Sequence, residues 1–267
     1  MKNYKGIITL NKNKRGCYIL DTIKGCSGRS KERPLGCYDN CYANAISNRY
    51  GFNFSNIVKR DFDNDKQQFC FDFFRNSKHE DDIIKQIKKI DMPFVRIGEM
   101  GDPSENWLHT INICKIISKA NKPIVIVTKH WQEISVVLLK EIEKLNICIN
   151  TSISALDTSE ETEHRLKQYN ILKNYCNSVL RIVSCDFNKN SFVGSLMAEE
   201  QNQLFENDKI IDTIFRPSIS NPLVVDKIIN VKKIKFLDSS ILASVHNCKT
   251  YFGHCSNCLE MCGIYEK

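Results

Sequence analysis

From residue 94 onward the chain alternates short apolar, β-branched runs with stretches of helical periodicity, and nothing else in the sequence narrows the fold as much. Residues 94–98, 123–128 (PIVIVT), 147–153, 179–185, 213–216 and a short last run at 233–237 read as strands. Residues 107–120, 132–145, 159–175, 191–205 and 223–230 read as helices, the third opened by an Asp/Thr/Ser cap. A continuous β-branched run fits a strand covered on both faces, and strand–helix alternation with short connections predicts an α/β fold with a parallel sheet and crossover helices. Such a sheet either stays open or closes into a full or partial barrel. In both cases ligands collect at the C-terminal ends of the strands. That rule singles out Glu99, Gly101 and Asp102; Thr128, Lys129 and His130; Ser152 and Ser154; Cys185 and Asp186; Arg216 and Ser218.

The first third is less regular. Residues 17–20 read as a first strand, 24–40 as a polar loop bearing glycine and cysteine, and 41–50 as a helix stopped by Gly51. Residues 52–76 are aromatic and charged without a period; with a helix at 81–90 they make an insertion or lid over 52–91. The expected organisation is a main domain at 1–240 and a cysteine-rich metal-binding tail at 241–267.

Thirteen cysteines in 267 residues need a chemical reason. The N-terminus lacks the apolar region of a signal peptide, and no apolar run approaches the roughly 20 residues of a membrane span. A cytoplasmic location without membrane attachment is therefore expected, and there thiols in clusters hold metals rather than disulfides. Cys26, Cys37 and Cys41 form one group; Cys248, Cys255, Cys258 and Cys262 form the other. The remaining six fit small core hydrophobes. The net charge of +7 permits a nucleic-acid partner, although a chain rich in Lys, Asn and Ile is equally what an AT-rich genome encodes.

The first group lies in GCSGRSKERPLGCYDNCYANAISNRYG, a loop between a strand and a helix. Three thiolates on a [4Fe–4S] cube leave one iron open to chelate a small molecule, which is what a catalytic cluster needs. A structural zinc site wants a fourth ligand, and Cys17 or a remote histidine is the competing candidate.

The run from Lys24 to Gly51 resembles the cluster loop of a phage-associated radical S-adenosylmethionine (SAM) family related to spore photoproduct lyase. Later landmarks agree in order: RIGEMGDP at 96–103, IVTK at 126–129 and INTSISALD at 149–157, followed by a helix with Arg165. The cysteine spacing departs from the commonest pattern, with a long gap between Cys26 and Cys37. The resemblance implies a (β/α)6-type barrel, full or partial, a three-cysteine cluster, SAM as cosubstrate and an electron donor such as flavodoxin or ferredoxin. It also implies a cofactor-binding set at the strand ends. Lys129 would meet the SAM carboxylate, Glu99 and Asp102 its amine or ribose, and Ser152 and Ser154 its ribose or carboxylate, with Thr128 and Arg165 beside them. Cys185 would be a hydrogen-atom relay, as a cysteine is in the lyase; a packed core cysteine is the competing reading.

The tail, HNCKTYFGHCSNCLEMCG, carries four cysteines, enough to saturate either zinc or a second [4Fe–4S] cluster. His246 and His254 are then surplus. A different functional class also fits two metal knuckles, namely a non-catalytic zinc-dependent nucleic-acid-binding protein.

Overall fold

The computed structural model describes residues 6–13, 16–28, 36–37, 41–62, 78–184, 186–206, 210–214, 224–226, 242–243, 251–252, 255, 259 and 262–264. In chain order these residues form β1 (Asn11–Lys12), β2 (Tyr18–Ile19), β3 (Ile23–Lys24), α1 (Tyr42–Arg49), β4 (Val58–Lys59) and α2 (Lys78–Lys89). There follow β5 (Val95–Ile97), α3 (Trp107–Ile117), β6 (Ile124–Thr128), α4 (Val136–Glu143), β7 (Ile147–Ile153), α5 (Ser159–Leu172), β8 (Asn177–Ser184), β9 (Asp186–Phe187) and α6 (Phe192–Phe205). Last come β10 (Ile210–Ile214), β11 (Val224–Asp226), β12 (Leu242–Ala243) and β13 (Tyr251–Phe252).

The main sheet runs β1-β2-β5-β6-β7-β8-β10. The six strands from β2 to β10 are parallel, and only β1 runs antiparallel at the edge. The expected α/β fold is therefore present. All seven residues of β7 are buried, because β6 and β8 flank it and side chains cover both its faces. On one face Ile153, Leu180 and Ile182 pack on Tyr169 of α5. The register sets Ile19, Arg96, Val125, Cys148 and Asn177 side by side on neighbouring strands.

Local chemistry fixes the helices. Thr158 and Glu161 form a reciprocal capping box that starts α5, while Ser191 caps α6 through Gly194 N–H. In α2 Glu80 and Asp81 sit in the first turn, Lys88 and Lys89 in the last, and Ile83, Ile84 and Ile87 face the core. The α4 helix begins at Val136 rather than near residue 132. Gln132 C=O accepts from Trp107 Nε1 (2.9 Å) and Ile134 N–H donates to Gln168 Oε1 (3.2 Å), which leaves Ser135 as the cap.

Two local readings change. The helix expected at 223–230 is, over the described residues, the strand β11, which pairs antiparallel with β9. Val224 and Val225 are β-branched and suit that pairing better than a helix. Of the expected insertion, the part up to residue 62 is knit into the body: β4 pairs with β3, and Phe52, Phe54 and Phe62 are buried. Residues 63–77 and the strand expected at 233–237 lie outside the described residues. No helix among the described residues is long and apolar enough to cross a membrane.

Candidate functional site

The C-terminal ends of β5, β6 and β7 are bound together by two carboxylates. Asp102, just past β5, accepts from Ser104 N–H (2.9 Å), Ser104 Oγ (2.6 Å), Thr128 Oγ1 (2.6 Å) and Lys129 N–H (2.7 Å). Both of its oxygens thus serve to tie β5 to the end of β6. Asp21, after β2, accepts from the N–H groups of Gly98, Glu99 and Met100 and fixes the loop that carries Glu99. Gly98 has φ +99, and a Cβ there would collide with the Val127 carbonyl, so this tight turn requires glycine.

Asp157 is the second hub. It lies after β7, fully enclosed, and pairs with Lys129 Nζ (2.7 Å) and with the Arg165 guanidinium. Its other partner is Ser154 N–H (2.7 Å). Burial alone would raise its carboxyl, but Arg165 and Lys129 outweigh that and hold it down at about 2. Arg165 also donates to Lys129 C=O (2.6 Å) and lies over the Trp131 ring at 4.6 Å. Beneath this layer His130 takes φ +53 and bonds Thr151 Oγ1 (2.9 Å); burial, with Arg165 and His164 adding to it, lowers its pKa to about 3, so it is neutral. Ser152 and Ser154 are both buried at the end of β7.

The three N-terminal thiols face this rim. Cys26 extends from β3, where Gly25 bridges to Gly101, and its thiol accepts from Gly28 N–H (3.4 Å). Cys41 is the N-cap residue of α1, without a side-chain cap bond, and the nearby Ala43 and Asn44 N–H groups favour its thiolate. Cys26 and Cys41 pack on the same cluster of Ala43, Phe52 and Phe54, whereas Cys37 packs on Ala155, Leu156 and Met197. Burial pushes all three thiols up, Cys37 to about 11, and Lys129 is the strongest opposing charge at Cys37. Cys37 lies within electrostatic reach of both Cys26 and Cys41.

This donor set suits a metal cluster. The Gly28 N–H at Cys26, with Lys129 and Arg165 near Cys37, would favour thiolate over thiol once a metal takes the proton's place. Among the described residues no three His, Cys, Asp or Glu side chains yet stand at metal-bonding distance.

Of the sequence-predicted residues, Asp102, Thr128, Lys129, Ser154 and Arg165 form one connected network, with Ser152 and Glu99 at its edges. Cys185, Cys248 and Cys258, like Arg216 and Ser218, lie outside the described residues. Cys255 and Cys262 are elsewhere, against the opposite ends of the strands. Sequence reasoning missed Asp21 and Glu105, and it quoted Asp157 only inside a motif. Glu105 accepts from Ser27 Oγ (2.8 Å) and is a hydrogen-bond partner of the Cys26 thiol; burial raises its pKa. A carboxylate two residues beyond β2 for Asp21, and four beyond β7 for Asp157, was the signal available; Glu105, eight residues beyond β5, offered none of that kind.

Compared with protein-family models, with curated proteins and with solved structures, the chain matches none.

Proposed function

We propose that the chain is a radical SAM enzyme built on a partial (β/α)6 barrel, with Cys26, Cys37 and Cys41 holding a [4Fe–4S] cluster. What supports this reading is the placing of Cys26, Cys37 and Cys41 beside a buried Lys–Asp–Arg network at the C-terminal ends of a parallel sheet, with Lys129 the charge that most favours thiolate at Cys37. When bound and reduced, the cluster supplies the electron that splits the SAM sulfonium into methionine and a 5′-deoxyadenosyl radical, which removes a hydrogen atom from the substrate.

The chain's residues set the geometry for that chemistry. Lys129 has three N–H donors; Asp157 and Ser154 engage two of them, and in this reading the third takes the SAM carboxylate. Asp157 and Arg165 hold the Lys129 stem in place, so that its charge stays beside Cys37. Glu99 and the serines at the end of β7 supply polar groups for the amine and ribose. The packing of Trp131 against Gly28 and Arg165 closes the layer beneath the loop and keeps water from it. The electron comes from a flavodoxin- or ferredoxin-type donor. Nucleic acid is the first substrate class to assay, given the net charge of +7.

The test is anaerobic reconstitution followed by iron and sulfide analysis and an assay for 5′-deoxyadenosine with dithionite and SAM. About four irons at the N-terminal site and SAM cleavage that is lost in Cys37→Ala are expected. Stoichiometric zinc at that site, with no cleavage, would instead make the chain a zinc-dependent nucleic-acid-binding protein.

A further inference from the structure

One short stretch, residues 100–106, holds Cys26 from both sides and fixes Lys129 as well. Before Cys26, Gly25 N–H donates to Met100 C=O (3.2 Å) and Gly25 C=O accepts from Asp102 N–H (3.2 Å). The two backbones are so close that a Cβ at Gly101 would collide with the Ile23 carbonyl. Cys26 N–H itself donates to Phe54 C=O (2.9 Å). After Cys26, the Glu105 carboxylate takes the next residue with both oxygens. Its Oε1 accepts from Ser27 N–H (2.5 Å) and Ser27 Oγ (2.8 Å), and its Oε2 lies 2.9 Å from the same Oγ. Gly28 N–H then turns back to donate to the Cys26 sulfur (3.4 Å), and Gly28 crosses the Trp131 indole so closely that a Cβ would collide with the ring. On the other side of the site Asp102 accepts from Thr128 Oγ1 and Lys129 N–H, while Ser104 Oγ accepts from Trp131 N–H (2.8 Å). Residues 104 and 105 thus close a ring with 27, 28 and 131.

We propose that Glu105 is a positioning residue that locks the Cys26 thiol in register with Lys129 through Ser27. What Cys26 then does rests on the reading of the N-terminal thiols as cluster ligands; the lock itself does not. Two observations mark out this contact. Ser27 is exposed, so water would satisfy its N–H and Oγ, yet a half-buried carboxylate takes both. One carboxylate on the N–H and the hydroxyl of one residue also fixes backbone and side chain together, so residue 27 turns only by breaking both bonds at once. The lock is needed because metal–sulfur distances hold to within about 0.2 Å, and a ligand on an unlatched loop drifts further than that. The stretch that carries Glu105 also carries the grip on Lys129, so the thiol and the ammonium move as one unit.

The experiment uses the full chain with Glu105→Ala, Glu105→Gln and Ser27→Ala. Glutamine keeps an acceptor for Ser27 N–H and offers its amide to Oγ, whereas alanine keeps neither. Amide exchange at residues 26–28 is measured on metal-free, reduced protein, with the β7 amides as the check on folding. Glu105→Ala should speed exchange at Ser27 about tenfold with β7 unchanged, as loss of a hydrogen bond to a charged group predicts, and Glu105→Gln should stay close to the parent. Metal is then measured after anaerobic reconstitution, the part that Cys37→Ala fails to bind being the N-terminal share. Glu105→Ala should lose N-terminal metal and alter its visible and paramagnetic resonance spectra, and Glu105→Gln should restore both. Parent-rate exchange at Ser27 in Glu105→Ala overturns the proposal. So does faster exchange with metal and spectra as in the parent, because the lock then does not reach the thiol. Should Glu105→Ala not fold, Ser27→Ala deletes the Oγ bond from an exposed residue: faster exchange at Gly28 and less N-terminal metal are expected, and parent values for both overturn the proposal. A parent without N-terminal metal refutes the cluster reading instead, and exchange at Ser27 in the metal-free chain still decides the lock.

Discussion

Replacing Asp157 by asparagine tests whether the hub at the end of β7 does what its geometry says. The carboxylate is enclosed and pairs with Lys129 and Arg165, so the amide leaves a buried guanidinium with Glu161, 3.9 Å away, as its remaining acid. Removing one partner of a buried pair costs about 3–5 kcal/mol, and Glu161 places the expected loss near the low end, ~3 kcal/mol at pH 7. The pH dependence follows from the same group. Its folded pKa is lowered from 3.8 to about 2, so its contribution is complete above the unfolded value and is lost as pH falls through the folded one. That depression is worth roughly 2 kcal/mol. Urea denaturation of both proteins in the same metal state, repeated from pH 7 down to about pH 2, gives the difference directly. The gap should be widest above about pH 4 and should shrink by roughly 2 kcal/mol towards pH 2. A variant as stable as the parent, or a gap that does not change with pH, would refute the account of Asp157 as an ionised hub.

Other outcomes follow from single residues. Cys37→Ala should abolish reductive SAM cleavage while far-UV circular dichroism stays as in the parent, since Cys37 lies on a loop above the sheet. Gly98→Ala should cost at least 1–3 kcal/mol in denaturant titration, because φ +99 strains alanine and its Cβ meets the Val127 carbonyl. Ile149→Ala, in the middle of β7 and fully buried, should cost about 2–5 kcal/mol by the same titration. Cys258→Ala should lose the tail's metal and raise hydrogen exchange at the C-terminus, while the N-terminal cluster still assembles; loss of all iron from a folded protein would show that the two groups share one site.

The sheet was legible because its strands carry their own signal. PIVIVT at β6 is β-branched and apolar on both faces, ICINTSI at β7 carries an isoleucine-rich face, and both strands lie within a residue of where the pattern puts them. The edge strand β1 was not legible: Asn11 and Lys12 have no β-forming preference and pair only because β2 is beside them. The β11 strand misled for a related reason. A short apolar stretch has no period long enough to separate helix from strand, and its pairing with β9 decides. In the site, the strand-end rule found Asp102, Thr128 and Lys129 because Thr128 ends β6, Lys129 follows it directly and Asp102 lies in the loop after β5. It missed Asp21 and Glu105, whose importance lies in what they meet rather than in where they stand: three backbone N–H groups for one, and Ser27 and the Cys26 thiol for the other. The seating of Gly263 on Cys148 and Asn177 was invisible for the same reason, since no local pattern links positions so far apart in a chain.

The two thiol groups take opposite ends of the same strands, and this separation assigns them different work. Cys148, which bonds Gly263, is near the start of β7; Ser154, which bonds Asp157, follows its end. Seven residues of strand separate the two ends by roughly 20 Å. The group at the C-terminal ends has three thiols beside Lys129 and Arg165, at the ends of the strands where ligands collect. The group at the N-terminal ends is enclosed by β2, β7 and β8, is counterbalanced by Arg96 and Arg181, and sits against Ile264 in the main core. A metal at the tail's cysteines would lie away from the strand ends where ligands collect. Its loss should therefore be felt as fraying of the C-terminus, whereas a metal bound at Cys26, Cys37 and Cys41 could be lost with the C-terminus in place.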